Sequence, residues 1–197
     1  ISKQDNRIKV CKFDINYFNY SAIVNYGVEC SNGEYIVMLN NDIEFITEDW
    51  IEQLLMYAQR PDVGICGAKL YFPDRSIQHA GVTLGTRGLA GHRCREVQEK
   101  DFKKDDYINI VQDLSAVTAA CFMVRKQLYI DMLGFDEKLA VAFNDVDFCM
   151  KIRTAKYLIV YNPFVEAYHY ESKSRGEDTE NTEKQKRFAK EYELFVK

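Results

Sequence analysis

The stretch Ile36-Val-Met-Leu-Asn-Asn-Asp42 passes abruptly from apolar residues to two amides and a carboxylate. A short, continuous apolar run of this kind is typical of a strand that is buried on both faces of a sheet. In open α/β sheets, ligands bind beyond the carboxyl ends of the strands, which is where Asn40, Asn41 and Asp42 would lie. The same residues also suit a polar turn that caps a following helix, and the stretch by itself favours that simpler interpretation.

The segments that follow one another along the first third of the chain predict a strand–helix–strand unit. Residues 8–13 alternate apolar and polar side chains, which predicts a half-exposed strand. Residues 20–30 have apolar residues at helical spacing, and strand 35–39 follows them. This order predicts a parallel strand pair joined by a right-handed crossover. Thr47 is then predicted to cap a helix that Pro61 ends.

The rest of the chain predicts further alternation of strands and helices. The predicted strands cover residues 63–72, 117–124, 158–161 and 165–168, with a short helix over 125–133. A glycine-rich loop is expected over residues 85–91. One helix is predicted to begin at Asn144 and Asp145, and an amphipathic helix to cover residues 181–197.

Charge and composition exclude several classes of function. The net charge is -4 and the sequence has no basic stripe or Lys/Arg run of the kind that a nucleic-acid site requires, so nucleic acid is not expected as a partner. The six cysteines form no C-x-x-C pair, which indicates free thiols of a cytoplasmic protein. No apolar run approaches the roughly 20 residues of a membrane span. We therefore expect no transmembrane segment and a cytoplasmic protein, with peripheral attachment to the inner face of the membrane as the alternative.

Polar side chains that suit catalysis follow or begin several predicted elements. Asp145 would lie at a helix N-terminus, which stabilises its charge, and an ionised carboxylate at a cleft can act as a general base. Asp42 and His169 form an oxygen and nitrogen pair of the kind that binds divalent cations. A lone histidine such as His169 is otherwise more often structural, and His79 and His92 are loop histidines for which both interpretations stay open.

Five stretches, in this order, resemble the family 2 inverting glycosyltransferases of GT-A fold. They are Asn19-Tyr-Ser-Ala-Ile-Val-Asn25, Gly33-Glu-Tyr-Ile-Val-Met-Leu-Asn-Asn-Asp42, Gln78-His-Ala-Gly81, Phe143-Asn-Asp-Val-Asp-Phe-Cys149 and His169-Tyr-Glu-Ser-Lys-Ser-Arg-Gly176. The resemblance implies an α/β fold with a mostly parallel central sheet, flanking helices and a small antiparallel portion. It implies that residues 1–176 are the C-terminal two-thirds of the catalytic domain and that residues 177–197 form a helix packing on the domain or on a neighbour. We expect this stretch alone to bind nucleotide poorly and to be inactive.

The resemblance also implies roles for individual residues. Asp42 would bind Mn²⁺ or Mg²⁺ on the donor diphosphate, His169 would complete the metal site, and Asp145 would be the general base. The other implied site residues are on the donor side, Asn40, Asn41 and Arg175, and on the acceptor side or in a nearby loop, His79, His92 and Asn144. Asn40, Asn41 and Asn144 stand where the family has acids, which weakens the metal site and leaves Asp145 without a neighbouring like charge.

The predicted function is the inverting transfer of a sugar from a nucleotide-sugar donor to a hydroxyl of a saccharide or lipid-linked acceptor, in polysaccharide or glycan biosynthesis. The alternative is a non-catalytic transferase-like domain that binds a glycan or a protein. A nucleotidyltransferase or metal hydrolase on a similar sheet is less favoured, since it would need more carboxylates around Asp42.

Overall fold

The computed structural model describes residues 5–85, 89–104, 106–170 and 182–196. The helices of these ranges are α1 (Tyr20–Cys30), α2 (Trp50–Ala58), α3 (Lys126–Asp131), α4 (Asn144–Thr154) and α5 (Thr182–Val196), with 3₁₀ turns at Glu99–Asp101 and Tyr107–Asn109. The strands are β1 (Tyr35–Leu39), β2 (Ile43–Phe45), β3 (Val63–Tyr71), β4 (Ile77–His79), β5 (Val82–Leu84), β6 (Ala90–His92), β7 (Gln112–Asp113), β8 (Cys121–Arg125) and β9 (Leu158–His169). None of these helices is long and apolar enough to cross a membrane.

A seven-stranded sheet forms the centre of the molecule, in the order β1-β8-β3-β9-β2, with β4 beside β3 and β7 beside β9. Strands β3 and β9 are parallel, and the other pairs of this sheet within the described ranges are antiparallel. The α/β class is therefore confirmed, but the sheet is mixed rather than mostly parallel. A parallel pair needs a long crossover, which α4 supplies before β9, whereas β4 returns directly after the turn 72–76 and must run antiparallel to β3.

Helices cover both faces of this sheet. β3 is buried at all nine positions, as expected for a central strand enclosed on both sides. On one face α2 contributes the fully buried Leu54 and Ala58. On the other face α4 contributes the fully buried Phe148 and Ile152. A Cβ atom added to Gly64 of β3 would overlap Ile152, so the glycine permits this close approach of α4 to the sheet.

The strand predicted over residues 8–13 is absent from the described structure, and with it the predicted parallel pair. These residues are mostly exposed, Val10 at 68%. β1 instead pairs with β8, antiparallel to it. The alternating pattern had predicted a strand, but alternation stabilises one only where a neighbouring strand and a buried face are present.

The start of α2 also differs from the prediction. The helix begins at Trp50, and Thr47 does not cap it. The hydroxyl of Thr47 donates instead to the carbonyl of Phe164 (2.9 Å) and accepts from the backbone N–H of Glu166 (2.9 Å). Thr47 therefore fastens the segment between β2 and α2 to β9.

Three segments were assigned boundaries that the structure changes. Residues 158–168 form one strand rather than two, because the register shift opposite Ala68 and Lys69 accommodates Pro163 in a bulge. Strand β8 begins at Cys121 rather than at residue 117. Part of the predicted loop 85–91 belongs to β6, which pairs with β5 in a separate hairpin.

Candidate active site

The ends of β1 and β9 bring together Asn40, Asp42 and His169. Strand β2 pairs with β9 so that Ile43, the residue after Asp42, lies opposite His169. As a result, Asp42 Oδ1 is 3.2 Å from His169 Nε2, and Asn40 Nδ2 is 3.1 Å from the same nitrogen. Asn41 lies in the turn between β1 and β2 and is exposed. Residues far apart in sequence thus form one polar cluster at the edge of the sheet.

Gln78 fixes the orientation of the His169 ring. Its Nε2 group donates to the His169 carbonyl (3.2 Å), which leaves its Oε1 to accept from His169 Nδ1 (2.6 Å). We infer from these partners that Nδ1 carries the proton, which leaves the Nε2 lone pair to accept from Asn40 Nδ2. Gln78 is 3% exposed. Gln78 was not among the predicted site residues, although it lies within one of the quoted stretches.

Asp145, in the first turn of α4, is held by two backbone N–H groups, one from α4 and one from the segment before β8. Asp145 Oδ1 accepts from Val146 (2.8 Å), and Oδ2 accepts from Ala119 (3.2 Å). Asn144 is buried, and its amide donates to the carbonyls of Leu139 (3.5 Å) and Val141 (3.2 Å). The N–H groups and the positive end of the helix stabilise a negative charge on Asp145.

Tyr20 connects Asp145 to the cluster at the end of β1. Its hydroxyl lies 3.2 Å from Asn40 Oδ1 and 3.4 Å from the carbonyl of Ala119, whose N–H bonds Asp145. Burial raises the pKa of Tyr20 above its usual range, and the charge of Asp145 adds to the effect. Tyr20 therefore stays a protonated hydrogen-bond donor. Tyr20 was not among the predicted site residues, although it lies in the first of the quoted stretches.

A cavity of about 180 Å³ lies beside Asp145 and His92. His79 is fully buried behind His92; its Nε2 accepts from the N–H of Thr118 (3.3 Å), and its Nδ1 is 2.8 Å from His92 Nδ1. Burial lowers the pKa of His79 well below its usual value, and His92 adds to this, so His79 is neutral. Arg175, the remaining predicted site residue, lies outside the described residues.

Comparison with known proteins identifies the family. The profile of glycosyl transferase family 2 matches residues 1–133, which is more than half of the chain. The chain belongs to glycosyl transferase family 2. The matched part contains Asn40, Asp42 and His79 and ends before Asp145 and His169. The expected family and its GT-A fold are thereby confirmed.

Similar proteins of known sequence are longer than this chain. It is 43% identical over 197 residues to the uncharacterized protein y4gI of Sinorhizobium fredii, with 99% of the chain and 21% of that protein aligned. It is 35% identical to the O-antigen biosynthesis protein RfbC of Myxococcus xanthus over 82% of the chain and 13% of that protein. An N-acetylglucosaminyl-diphospho-decaprenol L-rhamnosyltransferase of Mycobacterium tuberculosis is 23% identical over 74% of the chain and 50% of that enzyme. The chain thus spans about a fifth or less of the first two relatives.

The fold is also that of a solved glycosyltransferase structure. GalNAc-T7 with UDP, GalNAc and Mn²⁺ superposes with a TM-score of 0.65 over 89% of this chain and 34% of that one. The sequence identity is 12%, so the similarity is one of fold. It agrees with the mixed sheet and flanking helices described above.

Proposed function

We propose that the protein containing this chain transfers a sugar, with inversion, from a nucleotide-sugar donor to a hydroxyl of a saccharide or lipid-linked acceptor during polysaccharide assembly. Membership of glycosyl transferase family 2 supports glycosyl transfer as the reaction. The relatives named for O-antigen biosynthesis and rhamnosyl transfer support a role in polysaccharide assembly. The observation that carries the proposal is the hydrogen-bonded connection, through Tyr20 and Ala119, between Asp145 and the Asn40, Asp42 and His169 cluster. The proposed location is the cytoplasm or the inner face of the membrane.

Asp42 and His169 would hold a divalent cation, Mn²⁺ or Mg²⁺. Two ligands at right angles, each about 2.1 Å from an octahedral ion, lie about 3.0 Å apart, and the observed separation of Asp42 Oδ1 and His169 Nε2 is 3.2 Å. The hydrogen bond from His169 Nδ1 to Gln78 is the usual support for a metal-binding imidazole. A divalent cation supplies positive charge that offsets the charge of a leaving diphosphate.

This protein contributes only part of such a coordination shell. Within the described ranges, no group of three or more His, Cys, Asp or Glu side chains could hold a metal ion. The donor phosphates and water would therefore supply most of the ligands, as is usual for Mg²⁺ at phosphate sites. Asn40, Asn41 and Arg175 are proposed to contact the donor, and Asn40 Nδ2 would release His169 Nε2, which it bonds at 3.1 Å, when that nitrogen binds the cation.

Asp145 is proposed to take the proton of the acceptor hydroxyl. As the acceptor oxygen bonds to the anomeric carbon, the bond from that carbon to the diphosphate oxygen breaks on the opposite face, and the proton passes to the Asp145 carboxylate. The N–H groups of Val146 and Ala119 hold the carboxylate in place before the reaction. Tyr20 keeps its own proton, so it supports the geometry without competing as a base.

The test is release of nucleoside diphosphate by the intact protein from a panel of UDP-glucose, UDP-galactose, UDP-N-acetylglucosamine and dTDP-rhamnose, with Mn²⁺ or EDTA. We expect Mn²⁺-stimulated release with at least one donor, lost in Asp42→Ala and kept in the exposed control Asp14→Ala. The anomeric configuration of the product, read by proton NMR, tests inversion. Full metal-dependent release by Asp42→Ala would contradict the proposed metal site.

A second candidate is a glycan-binding domain without catalysis. It is supported by the amides Asn40 and Asn41, which stand where the family has acids. In that case the intact protein would release no nucleoside diphosphate from any donor with either cation, while saccharides would still bind.

A further inference from the structure

The cavity beside Asp145 is enclosed on one side by the C-terminal helix α5. We propose that it is an acceptor subsite for a single pyranose ring, whose apolar face stacks on Phe188 and whose hydroxyl groups face Asp145 and His92. This inference rests on the proposed function and names the part of the acceptor that the site binds.

The size and lining of the cavity suit one sugar ring. Its volume of about 180 Å³ is below the roughly 300–1,000 Å³ of pockets that enclose drug-sized ligands, so it takes a single ring-sized group. Apart from Asp145 and His92, the lining is apolar: Val82, Ala90, Gly91, Ala142, Phe143, Val146 and Phe188. A pyranose has one face of C–H groups and a rim of hydroxyls, and this lining offers a matching surface to each.

Phe188 is the aromatic surface available to such a ring. It is 40% exposed although it is a large apolar side chain, and it packs on Phe143 with ring centroids 5.3 Å apart. Tyr192, one turn further along α5, packs on the same Phe143 ring at 6.2 Å and is 39% exposed, yet it is not among the described residues that line the cavity. Both side chains therefore belong to α5 and pack on Phe143, but of the two only Phe188 lines the cavity.

Helix α5 is held firmly against the segment that leads into Asp145. Glu191 is 2% exposed, and its Oε2 accepts from the N–H of Ala142 (2.7 Å). Phe195 stacks on Phe143 with centroids 5.2 Å apart and planes within 10°. Phe143 has a left-handed backbone (φ 63°), which is unfavourable for a bulky residue and is maintained by these contacts. The position of Phe188 is thus fixed relative to Asp145.

His92 lines the cavity from β6 of the β5–β6 hairpin. Since His79 Nε2 accepts from Thr118, its Nδ1 carries the proton and donates to His92 Nδ1. The proton of a neutral His92 is then on Nε2, and the imidazole is part of the lining of the cavity. His79 acts in this scheme as a positioning residue, because it is fully buried and reaches the acceptor only through His92.

The experiment is saturation-transfer NMR on the 197-residue chain with methyl β-D-glucopyranoside, methyl N-acetyl-β-D-glucosaminide and methyl α-L-rhamnopyranoside as probes. We expect at least one glycoside to bind, with most saturation reaching the C–H protons of one ring face. Phe188→Ala should weaken this binding roughly 2- to 10-fold, the range that aromatic contacts give. Phe188→Tyr, which keeps the ring, should retain it, and Tyr192→Ala should leave it unchanged.

Two further measurements keep a structural effect apart from a binding effect. Phe188→Leu keeps an apolar side chain on Phe143 and should weaken glycoside binding while thermal unfolding stays as in the unmodified chain. Equal binding by Phe188→Ala and the unmodified chain would overturn the proposal, and so would equal losses in Phe188→Ala and Tyr192→Ala. Absence of binding by all three glycosides would overturn it as well.

The outcome also separates this inference from the proposed function. If the intact protein releases nucleoside diphosphate in an Asp42-dependent manner but Phe188→Ala leaves glycoside binding unchanged, the subsite is wrong and the transferase stands. If Phe188→Ala weakens glycoside binding but no donor is turned over, the sugar site stands and the transferase proposal fails.

Discussion

Replacing Gln78 with Met should loosen the His169 ring and lower stability together. Met is similar in length to Gln but makes neither of the two hydrogen bonds that Gln78 forms with His169. At roughly 0.5–1.5 kcal/mol for each bond, the free energy of unfolding should fall by about 1–3 kcal/mol. For a chain of this size that corresponds to a melting temperature lower by roughly 2–12 °C. Loss of a hydrogen bond behind His169, the proposed metal ligand, should also weaken the proposed Mn²⁺-dependent turnover by roughly 10- to 100-fold.

The assay is thermal unfolding followed by circular dichroism on the 197-residue chain, together with Mn²⁺ titration of nucleoside diphosphate release by the intact protein. The control is Gln59→Met, since Gln59 is exposed at the end of α2 and the same substitution there should change neither quantity. Unchanged unfolding and an unchanged Mn²⁺ requirement in Gln78→Met would refute the argument that Gln78 fixes the His169 ring.

Three further predictions concern stability and are measured by urea unfolding. Gly64→Ala should destabilise the fold by about 1–3 kcal/mol because its Cβ overlaps Ile152, whereas Gly27→Ala, with open space inside α1, should stabilise it by about 0.8–1.0 kcal/mol; equal effects would contradict this. Because burial keeps the pKa of His79 below its ordinary 6.5, only the unfolded chain gains this proton as pH falls below 6.5, so stability should drop by up to about 1.4 kcal/mol per pH unit. His79→Gln should remove that slope, and an identical slope in the variant would show that another group causes it. Glu191→Ala should lower the free energy of unfolding by about 1.5–3 kcal/mol, because the charge-assisted hydrogen bond to Ala142 is lost. Glu191→Gln should lower it less, since the side chain keeps an acceptor oxygen.

Local sequence patterns were sufficient to predict the elements that carry the site. The apolar run before Asn40 gave β1, and the spacing of Val146, Cys149 and Ile152 placed Asp145 in the first turn of α4. Both patterns reflect the burial of one face of an element against the core, and this burial is visible in the spacing of apolar residues within a single segment. The amphipathic stripe of α5 was predicted for the same reason and lies on Phe143.

Features that depend on a partner distant in sequence could not be predicted. Residues 8–13 have the alternation of a strand, but β1 is paired by β8 and not by them. Thr47 is of a residue type that often caps helices, yet its hydroxyl forms hydrogen bonds with the backbone of β9. Tyr20 bonds Asn40, which is 20 positions away in the sequence, and Gln78 bonds His169, which is 91 positions away. Both hydrogen bonds depend on tertiary packing. The local structural preferences of a segment do not indicate which distant residues it will contact.

The cavity beside Asp145 is the clearest example of this limit. Its walls come from the β5–β6 hairpin, the start of α4 and Phe188 of α5. His92 was selected from the sequence as a loop residue and is found in β6, with the buried His79 behind it. Phe188 was assigned only to the apolar stripe of its helix, because periodicity indicates which face is apolar and not what that face encloses.

The most direct test of the account is turnover by the intact protein with Asp145→Asn. Asparagine keeps an oxygen acceptor for the N–H groups of Val146 and Ala119 but cannot take the acceptor proton. We predict a fall in the transfer rate of at least roughly 10²–10⁴-fold, with nucleotide-sugar binding by calorimetry unchanged. Asp147→Asn, which alters the next acid of the same helix turn and its ion pair with Lys151, should keep its activity. Transfer at the unmodified rate by Asp145→Asn would contradict the assignment of Asp145 as the general base.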